Sequence, residues 1–407
     1  MINQTTFFDK YPTYKDSGVD WLGEIPEHWE VLKLKHIFFE KKKKTNYDLN
    51  CGSISFGKVV TKDDEKIPEA TKASYQEVLK GDFLINPLNL NYDLISLRIA
   101  LSEIDVVVSS GYIVINNLLE ISKSYFKWLL HRYDVAYMKL LGSGVRQTIS
   151  FNHIANSLLA FPPIHEQAAI ATFLDRKTTQ IDQVIAQKER MIELLKERRQ
   201  ILIQNAVTRG LNSNVKMRDS GVEWIGEIPE HWGVKALKYI ANLQSGETIS
   251  AEKFVAEGYP VYGGNGFRGY ASYYTNDGEF ALIGRQGALC GNVNYAVGKF
   301  FASEHAIVVY PFNGESFIWI GEAIKVADFN RLSQSAAQPG IAVSVIKNVL
   351  FPYPPISEQY SIAKYIERIS DKVATATSLK EREIEKLKEY KAALINSAVT
   401  GKIKVVD

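Results

Sequence analysis

The segment DSGVDWLGEIPEHWEVLKLKHI, Asp16 to Ile37, returns as DSGVEWIGEIPEHWGVKALKYI, Asp219 to Ile240, with 16 of 22 positions identical. A second block repeats behind it. FPPIHEQ, from Phe161, aligns with YPPISEQ, from Tyr353, and Ala206, Val207 and Thr208 match Ala398, Val399 and Thr400. The order is therefore A-B-A′-B′. Whatever A and B form is formed twice, and 407 residues exceed the size at which one hydrophobic core usually stops growing.

Each B block opens on Pro-Pro and then runs more than 40 residues without Pro or Gly, rich in Glu, Lys, Arg, Leu, Ile and Gln, which predicts a long helix. Ile181, Val184, Lys188, Met191, Leu195 and Leu202 lie near heptad spacing in the first. In the second, Val373, Ala376, Lys380, Glu383, Leu387, Tyr390 and Leu394 do so, with Ile384 beside the seam. About 44 helical residues span roughly 66 Å. Compact domains tend to keep their chain ends close together, so the two helices are expected to run antiparallel as a coiled coil. The result is a nearly circular chain with a pseudo-twofold relation between its halves.

The A domains read as α/β (α+β): GDFLINPL, VVVSSGYIVI, EFALIGRQG and HAIVVYPF as strands, SYFKWLLHRYDVAYMKLL as a helix. Boundaries follow as 1–160 and 211–352 for two recognition domains, with 161–210 and 353–407 for the helices. Outside the shared segments the domains diverge, so one scaffold presents two different surfaces. Trp21, Trp29, Trp224 and Trp232 belong to the shared frame and are expected in apolar pockets.

Charge gives no domain-wide attraction for nucleic acid. The net charge is +2, with 19 basic and 19 acidic side chains in residues 1–160 and 11 and 13 in residues 211–352. Cys51 and Cys290 have neither disulfide nor zinc spacing. No membrane-length apolar run or secretory leader is evident, which predicts a cytoplasmic protein. His28, His165, His231 and His305 each adjoin a Glu, without metal-ligand spacing, and read as hydrogen-bonded or exposed. LINPLNL lacks the second Pro of an adenine methyltransferase loop, and YGGNGFRGY lacks the ending of a phosphate loop.

Two dissimilar domains, each opened by a WxGEIPEHW-like segment and closed by PPIxEQ and a long helix, resemble the DNA specificity subunit of type I restriction-modification systems. YGGNGFRGY, IGRQGALCGNV and FASEHAIVV resemble segments common in that family's recognition domains. The resemblance covers nearly the whole chain. It implies a subunit without catalysis or cofactor of its own that reads an asymmetric bipartite target in double-stranded DNA. It also implies two methyltransferase subunits using S-adenosylmethionine, and nuclease-translocase subunits using ATP and Mg. The competing class is a coiled-coil scaffold whose two heads bridge proteins.

Base readout needs forked donors and acceptors on elements able to enter a groove. In the second domain the candidates are Asn265, Phe267, Arg268 and Tyr270 in a Gly-rich tip, Arg285 and Gln286 after a strand, with Asn292 and Asn294 nearby, and Gln338. A tight turn with a solvated Arg268 is the competing reading of the tip. The first domain offers Asn86, Asn89, Asn91, Arg98, Arg146 and Gln147. GSGVRQTIS and LSQSAAQPGIA stand at equivalent places before the two helices. Lys41 to Lys44 reads as a solvated charge run before a phosphate patch.

Overall fold

A computed structural model describes residues 8–63, 67–88, 97–138, 149–287, 289–332 and 340–405. The chain divides into two compact units, Met1–Gln187 with Arg382–Asp407, and Lys188–Glu381. The largest sheet of the first unit is built from strands β1 (Phe38–Glu40), β2 (Phe83–Ile85), β3 (Ile99–Leu101) and β4 (Ile113–Asn117), followed in the chain by helix α1 (Lys123–Ala136). They form an antiparallel sheet in the order β1-β4-β2-β3. Alternation along the strands decides its faces. Phe83, Ile85, Ile113 and Ile115 join the core that holds Tyr125, Phe126, Leu129 and Tyr133 of α1. Leu84 and Val114 turn the other way, onto Val78, Val106 and Val108. The helix expected to continue through Leu141 ends at Ala136, where Tyr137 leaves helical geometry.

Helix α2 (Ile164–Arg209) begins in the first unit and ends in the second. The second unit holds β5 (Ala241–Ser245), β6 (Phe254–Val255), β7 (Tyr259–Gly263), β8 (Gly266–Ala271), β9 (Asn276–Gly284), β10 (Val293–Ala302), β11 (Ala306–Pro311) and helix α3 (Phe317–Val326). Its seven strands run β5-β11-β9-β10-β7-β8-β6, antiparallel except where β7 meets β10. The same alternation recurs: Ala281, Ile283, Ile307 and Val309 face Trp319 and Ile320 of α3, while Leu282 and Val308 face Ala296, Phe300 and Ala302. Helix α4 (Ile356–Val399) begins in this unit and ends in the first. There Lys391 pairs with Asp182 of α2 at 2.7 Å, and Lys404 donates to Asp9 O at 2.7 Å.

The buried stripes of the long helices depart from the expected heptads at four positions. Val184 and Met191 are exposed, while Ile192 is buried and Ile185 partly so. In α4, Glu383 and Tyr390 are exposed and Ile384 is buried. An apolar side chain one position off the seam points to solvent, and a period of 3.5 is sensitive to single-residue error.

The two A segments fold alike down to the register. Tyr14, Lys15 and Asp16 pair with Pro26, Ile25 and Glu24, and Met217, Arg218 and Asp219 pair with Pro229, Ile228 and Glu227. The carboxylates of Asp16 and Asp219 accept the amides of Gly18 and Gly221 at 3.0 and 2.9 Å. Those glycines stand at φ 76° and 72°, in the left-handed region glycine enters without steric cost. Glu30–Lys33 pairs with Leu158–Phe161, and Gly233–Ala236 with Leu350–Tyr353, tying the start of each A to the start of each B.

The repeated motifs form one hydrogen-bonded lock in each unit. The indoles of Trp29 and Trp232 donate to Glu166 and Glu358, both at 3.0 Å, and His28 and His231 meet the same carboxylates at 2.5 and 2.7 Å. The next residue finishes the job. Gln167 and Gln359 donate to Pro162 O and Pro354 O at 2.9 and 3.1 Å, and accept the amides of Ser122 and Ser316 at 2.9 and 3.2 Å. Ser122 and Ser316 are the N-caps of α1 and α3, accepting from Tyr125 and Trp319 amides at 3.3 Å each. The far end of the other long helix closes the clasp. Gly401, after α4, lies where a Cβ would come within 3.1 Å of the Trp29 ring, and Gly210, after α2, within 3.0 Å of Trp232.

Trp29 and Trp232 are thus buried in the apolar cores of their units, as expected, with only the indole N–H turned to a carboxylate; Trp21 and Trp224 are half-buried and pack against the same cores. The histidines beside Glu are hydrogen-bonded, as expected of His28 and His231. Burial raises the Glu166 pKa, but hydrogen bonds from Tyr11 at 2.7 Å, His28 and Trp29 outweigh it and hold the carboxyl below its ordinary value. A depressed carboxyl contributes stability above its unfolded value, and that contribution is lost as pH falls through the folded one. Glu166→Gln should therefore lower the urea midpoint at pH 7, with the gap to wild type closing as pH falls below about 4.5. A gap that widens on acidification would reject this assignment.

Candidate nucleic-acid interface

In the second unit the sequence candidates converge from distant stretches of chain. Strands β7 and β8 make a hairpin closed by Gly263 opposite Gly266, with Gly264 and Asn265 as its two-residue turn. Gly264 is pressed onto its neighbours: a Cβ there would meet His305 O at 3.0 Å and Gly284 Cα at 3.4 Å. A side chain there would have to push its neighbours back by a few tenths of an ångström, which glycine avoids. Asn265 and Arg268 are exposed, and Phe267 and Tyr270 present their rings edge to face at 5.1 Å, 55% and 38% exposed. The Arg268 guanidinium lies 5.8 Å from the Phe254 ring.

Arg285 and Gln286 follow β9 beside the hairpin turn, where a Cβ at Gly264 would come 3.6 Å from Gln286 O. Arg285 is pinned by its main chain, donating to His305 O at 2.9 Å and accepting from Ile341 N at 3.0 Å. Its side chain is half-buried, with Nη1 3.4 Å from Ser245 Oγ. Gln286 is exposed, bridges to Gly340, and its Oε1 lies 3.1 Å from His305 Nδ1, whose ring meets Glu304 at 3.1 Å through Nε2. Asn292 is exposed, and Asn294 lies beside Gly266, where a Cβ would come within 3.1 Å of its Oδ1. Gln338 lies outside the described residues, although Gly340 brings the end of its segment to Gln286.

The first unit uses the same frame position with different chemistry. Ile149 donates to Pro87 O at 3.1 Å, as Ile341 donates to Arg285 O at 3.0 Å. Pro87 and Arg285 therefore occupy one place in the two frames. Asn86 accepts the Leu88 amide at 3.0 Å through Oδ1, a turn that aims the loop, and its own amide donates to Arg98 O at 2.8 Å. Asn89, Asn91, Arg146 and Gln147 lie outside the described residues.

Arg98 corrects the sequence expectation. It is 6% exposed, its Nε donates to Asp134 at 3.0 Å, and its main-chain amide meets the same carboxylate at 2.5 Å. A buried guanidinium bound to a fully buried Asp holds the β3–α1 packing and does not face a groove. The lysine run is also largely spoken for. Lys41 pairs with Asp82, Lys44 with Glu77, and Lys43 donates to Ser110 O. Among the described residues no cluster of His, Cys, Asp and Glu could hold a metal, and no helix is long and apolar enough to cross a membrane.

The signals missed from sequence are His305, which supports Gln286, and the equivalence of Pro87 and Arg285. Conserved register around Ile149 and Ile341, both preceding the Pro-Pro blocks by the same interval, could have found the second.

A duplicated frame with unlike loop clusters at one frame position defines a two-site recognition protein. The family described as type I restriction modification DNA specificity domain matches residues 26–194 and 229–388. The chain belongs to that family: it is a type I restriction-modification specificity subunit with two DNA specificity domains. Among its relatives, the EcoprrI specificity subunit of Escherichia coli is 39% identical over 149 residues, 35% of this chain and 36% of that protein. A Methanocaldococcus jannaschii protein assigned as the MjaX specificity subunit is 25% identical, across 94% of this chain and 96% of its own. A chain solved in work on assembly and conformational transition of the type I R-M system has the same fold, with TM-score 0.73 at 15% identity, covering 92% of this chain and 98% of that one. The HsdS subunit from Thermoanaerobacter tengcongensis matches at TM-score 0.56 and 17% identity, covering 93% and 98%.

Proposed function

We propose that the chain reads an asymmetric bipartite site in double-stranded DNA for a type I restriction-modification complex. Residues 1–160 read one half and residues 211–352 the other. The observation that carries this is the shared frame position of Pro87 and Arg285, flanked by Asn86 in one head and by Gln286 and the Asn265–Tyr270 hairpin in the other. Equal frames with unequal loops place two readers alike and let them see different bases. On the first side Asn86, Asn89, Arg146 and Gln147 are the contacts; on the second, Asn265, Phe267, Arg268, Tyr270, Arg285, Gln286 and Gln338.

The 46-residue α2 and 44-residue α4 act as an antiparallel coiled-coil spacer in a nearly circular, pseudo-twofold chain. Adding one heptad to both, about 10 Å, should lengthen the spacer between half-sites by up to about 3 base pairs and leave both half-sites unchanged. Unchanged spacing in an active complex, read by methylome sequencing, would reject the ruler.

Two methyltransferase subunits dock on the repeated surfaces. Large apolar side chains are exposed there in matched pairs: Leu118 and Phe312, 56% and 53% exposed, whose amides donate to Ile37 O and Ile240 O, and Ile164 and Ile356, 46% and 36% exposed. Those subunits carry S-adenosylmethionine and flip the target adenines, and nuclease-translocase subunits bring ATP and Mg. Catalysis rests with these partners, in the cytoplasm. Methylation profiling of cells with and without the chain is the test. Bipartite adenine methylation should vanish in its absence; an unchanged profile would favour a scaffold that bridges proteins.

A further inference from the structure

Phe56 occupies a position whose backbone calls for asparagine or glycine. Strands Gly52–Ser55 and Lys58–Thr61 pair up to Ser55 opposite Lys58, leaving Phe56 and Gly57 as a two-residue turn at φ 46° and 71°. Such hairpin turns need positive φ at both central residues, hence the preference for Asn-Gly. Among the described residues, Phe56 and Asp328 are the only non-glycines with positive φ. The Phe56 ring is also 84% exposed, more than any other large apolar side chain described. An aromatic ring here gains no burial that would offset an unfavourable backbone.

The hairpin is not loose. Ile54 and Val59 pack on the cluster of Val78, Val106 and Val108, and Gly57 is seated on Leu97, where a Cβ would meet Cδ1 at 2.6 Å. Leu97 precedes Arg98, whose carbonyl takes the Asn86 amide. The tip therefore stands beside the Asn86 loop, the first unit's counterpart of the Arg285 loop. Lys58, next to the turn, is exposed and supplies a cation of the kind that meets phosphate.

We propose that Phe56 is a stacking wedge that enters the duplex at one base step of the first half-site. Apolar wedges partly unstack such steps, and an aromatic face stacks on any base. Selection then comes from how readily the step opens, which favours a pyrimidine–purine step. The proposal rests on the DNA-reading role above.

The test uses the full chain assembled with its methyltransferase subunits, on target duplexes carrying 2-aminopurine at each position of the first half-site in turn. Wild type should raise fluorescence at one step besides the target adenine that the methyltransferase flips, whose own rise Phe56 substitutions leave in place. Phe56→Asn should abolish the rise at the wedge step and weaken binding about 5- to 150-fold, with no fall in thermal midpoint because Asn tolerates the left-handed turn; Phe56→Trp should keep both. Wild-type binding and fluorescence in Phe56→Asn would overturn the wedge. So would loss of methyltransferase co-purification with DNA affinity unchanged, which makes Phe56 a protein contact. If wild type fails to separate its target from a scrambled duplex, the DNA-reading role itself fails, and the wedge with it.

Discussion

Trp29→Ala is expected to destabilise the chain by about 3–5 kcal/mol, the range for deleting a fully buried large aromatic. The residue is 0% exposed, touches the Tyr11 ring at a centroid distance of 5.8 Å, and lies against Gly401. Its loss opens a cavity at the junction of the A segment, the start of α2 and the end of α4. The indole also donates to Glu166. A hydrogen bond to a charged acceptor contributes about 1.5–3 kcal/mol, so Trp29→Phe should recover part of the loss, leaving a deficit of about that size. Urea denaturation of the three proteins at pH 7 reads both quantities. A Trp29→Ala variant within 1 kcal/mol of wild type would mean that the lock does not carry the first unit.

Arg285→Ala should relax one base position of the second half-site and leave the first half-site untouched. The loop is held by main-chain bonds to His305 and Ile341, so removing the side chain does not release the backbone. A good bidentate contact gives about 1–3 kcal/mol of discrimination, roughly 5- to 150-fold between the right base and a wrong one. Gln286→Ala should act on a neighbouring position by a similar factor. A phosphate contact would instead weaken all sequences alike and reduce the salt dependence. Methylome sequencing separates these outcomes: a relaxed base supports readout, and loss of methylation at every site without altered preference assigns Arg285 to the backbone.

Much of the frame was legible because it is written twice. Repetition of WxGEIPEHW and PPIxEQ marked segments that cannot supply a difference between the halves, and the structure makes them a lock. What the repeat could not reveal is the bonding within it, since His28 and Glu166 lie 138 residues apart. Periodicity located the long helices but put Val184 and Met191 on a seam that Ile185 and Ile192 occupy, because a surface-exposed apolar side chain looks the same in sequence as a buried one. Arg98 misled for the opposite reason. Arginine is seldom buried, and Asp134, its partner, sits 36 positions away on another element. Residue type alone singled out the Arg285 and Asn265 loops as candidates, but their convergence depends on long-range pairing through Gly264, His305 and Gly340.

The clasp on Trp29 also bears on how the protein is made. The first unit needs Arg382–Asp407, including Val399, whose carbonyl takes the Tyr125 hydroxyl at 3.2 Å, and Asn396, bound by Arg132 at 2.7 Å. Domains usually fold in the order in which the ribosome releases them. Here the earlier-born unit must wait for the end of α4, so a chain truncated within α4 has a first head that lacks part of its core. Such a product leaves Trp29 without the Ala398–Gly401 side of its pocket.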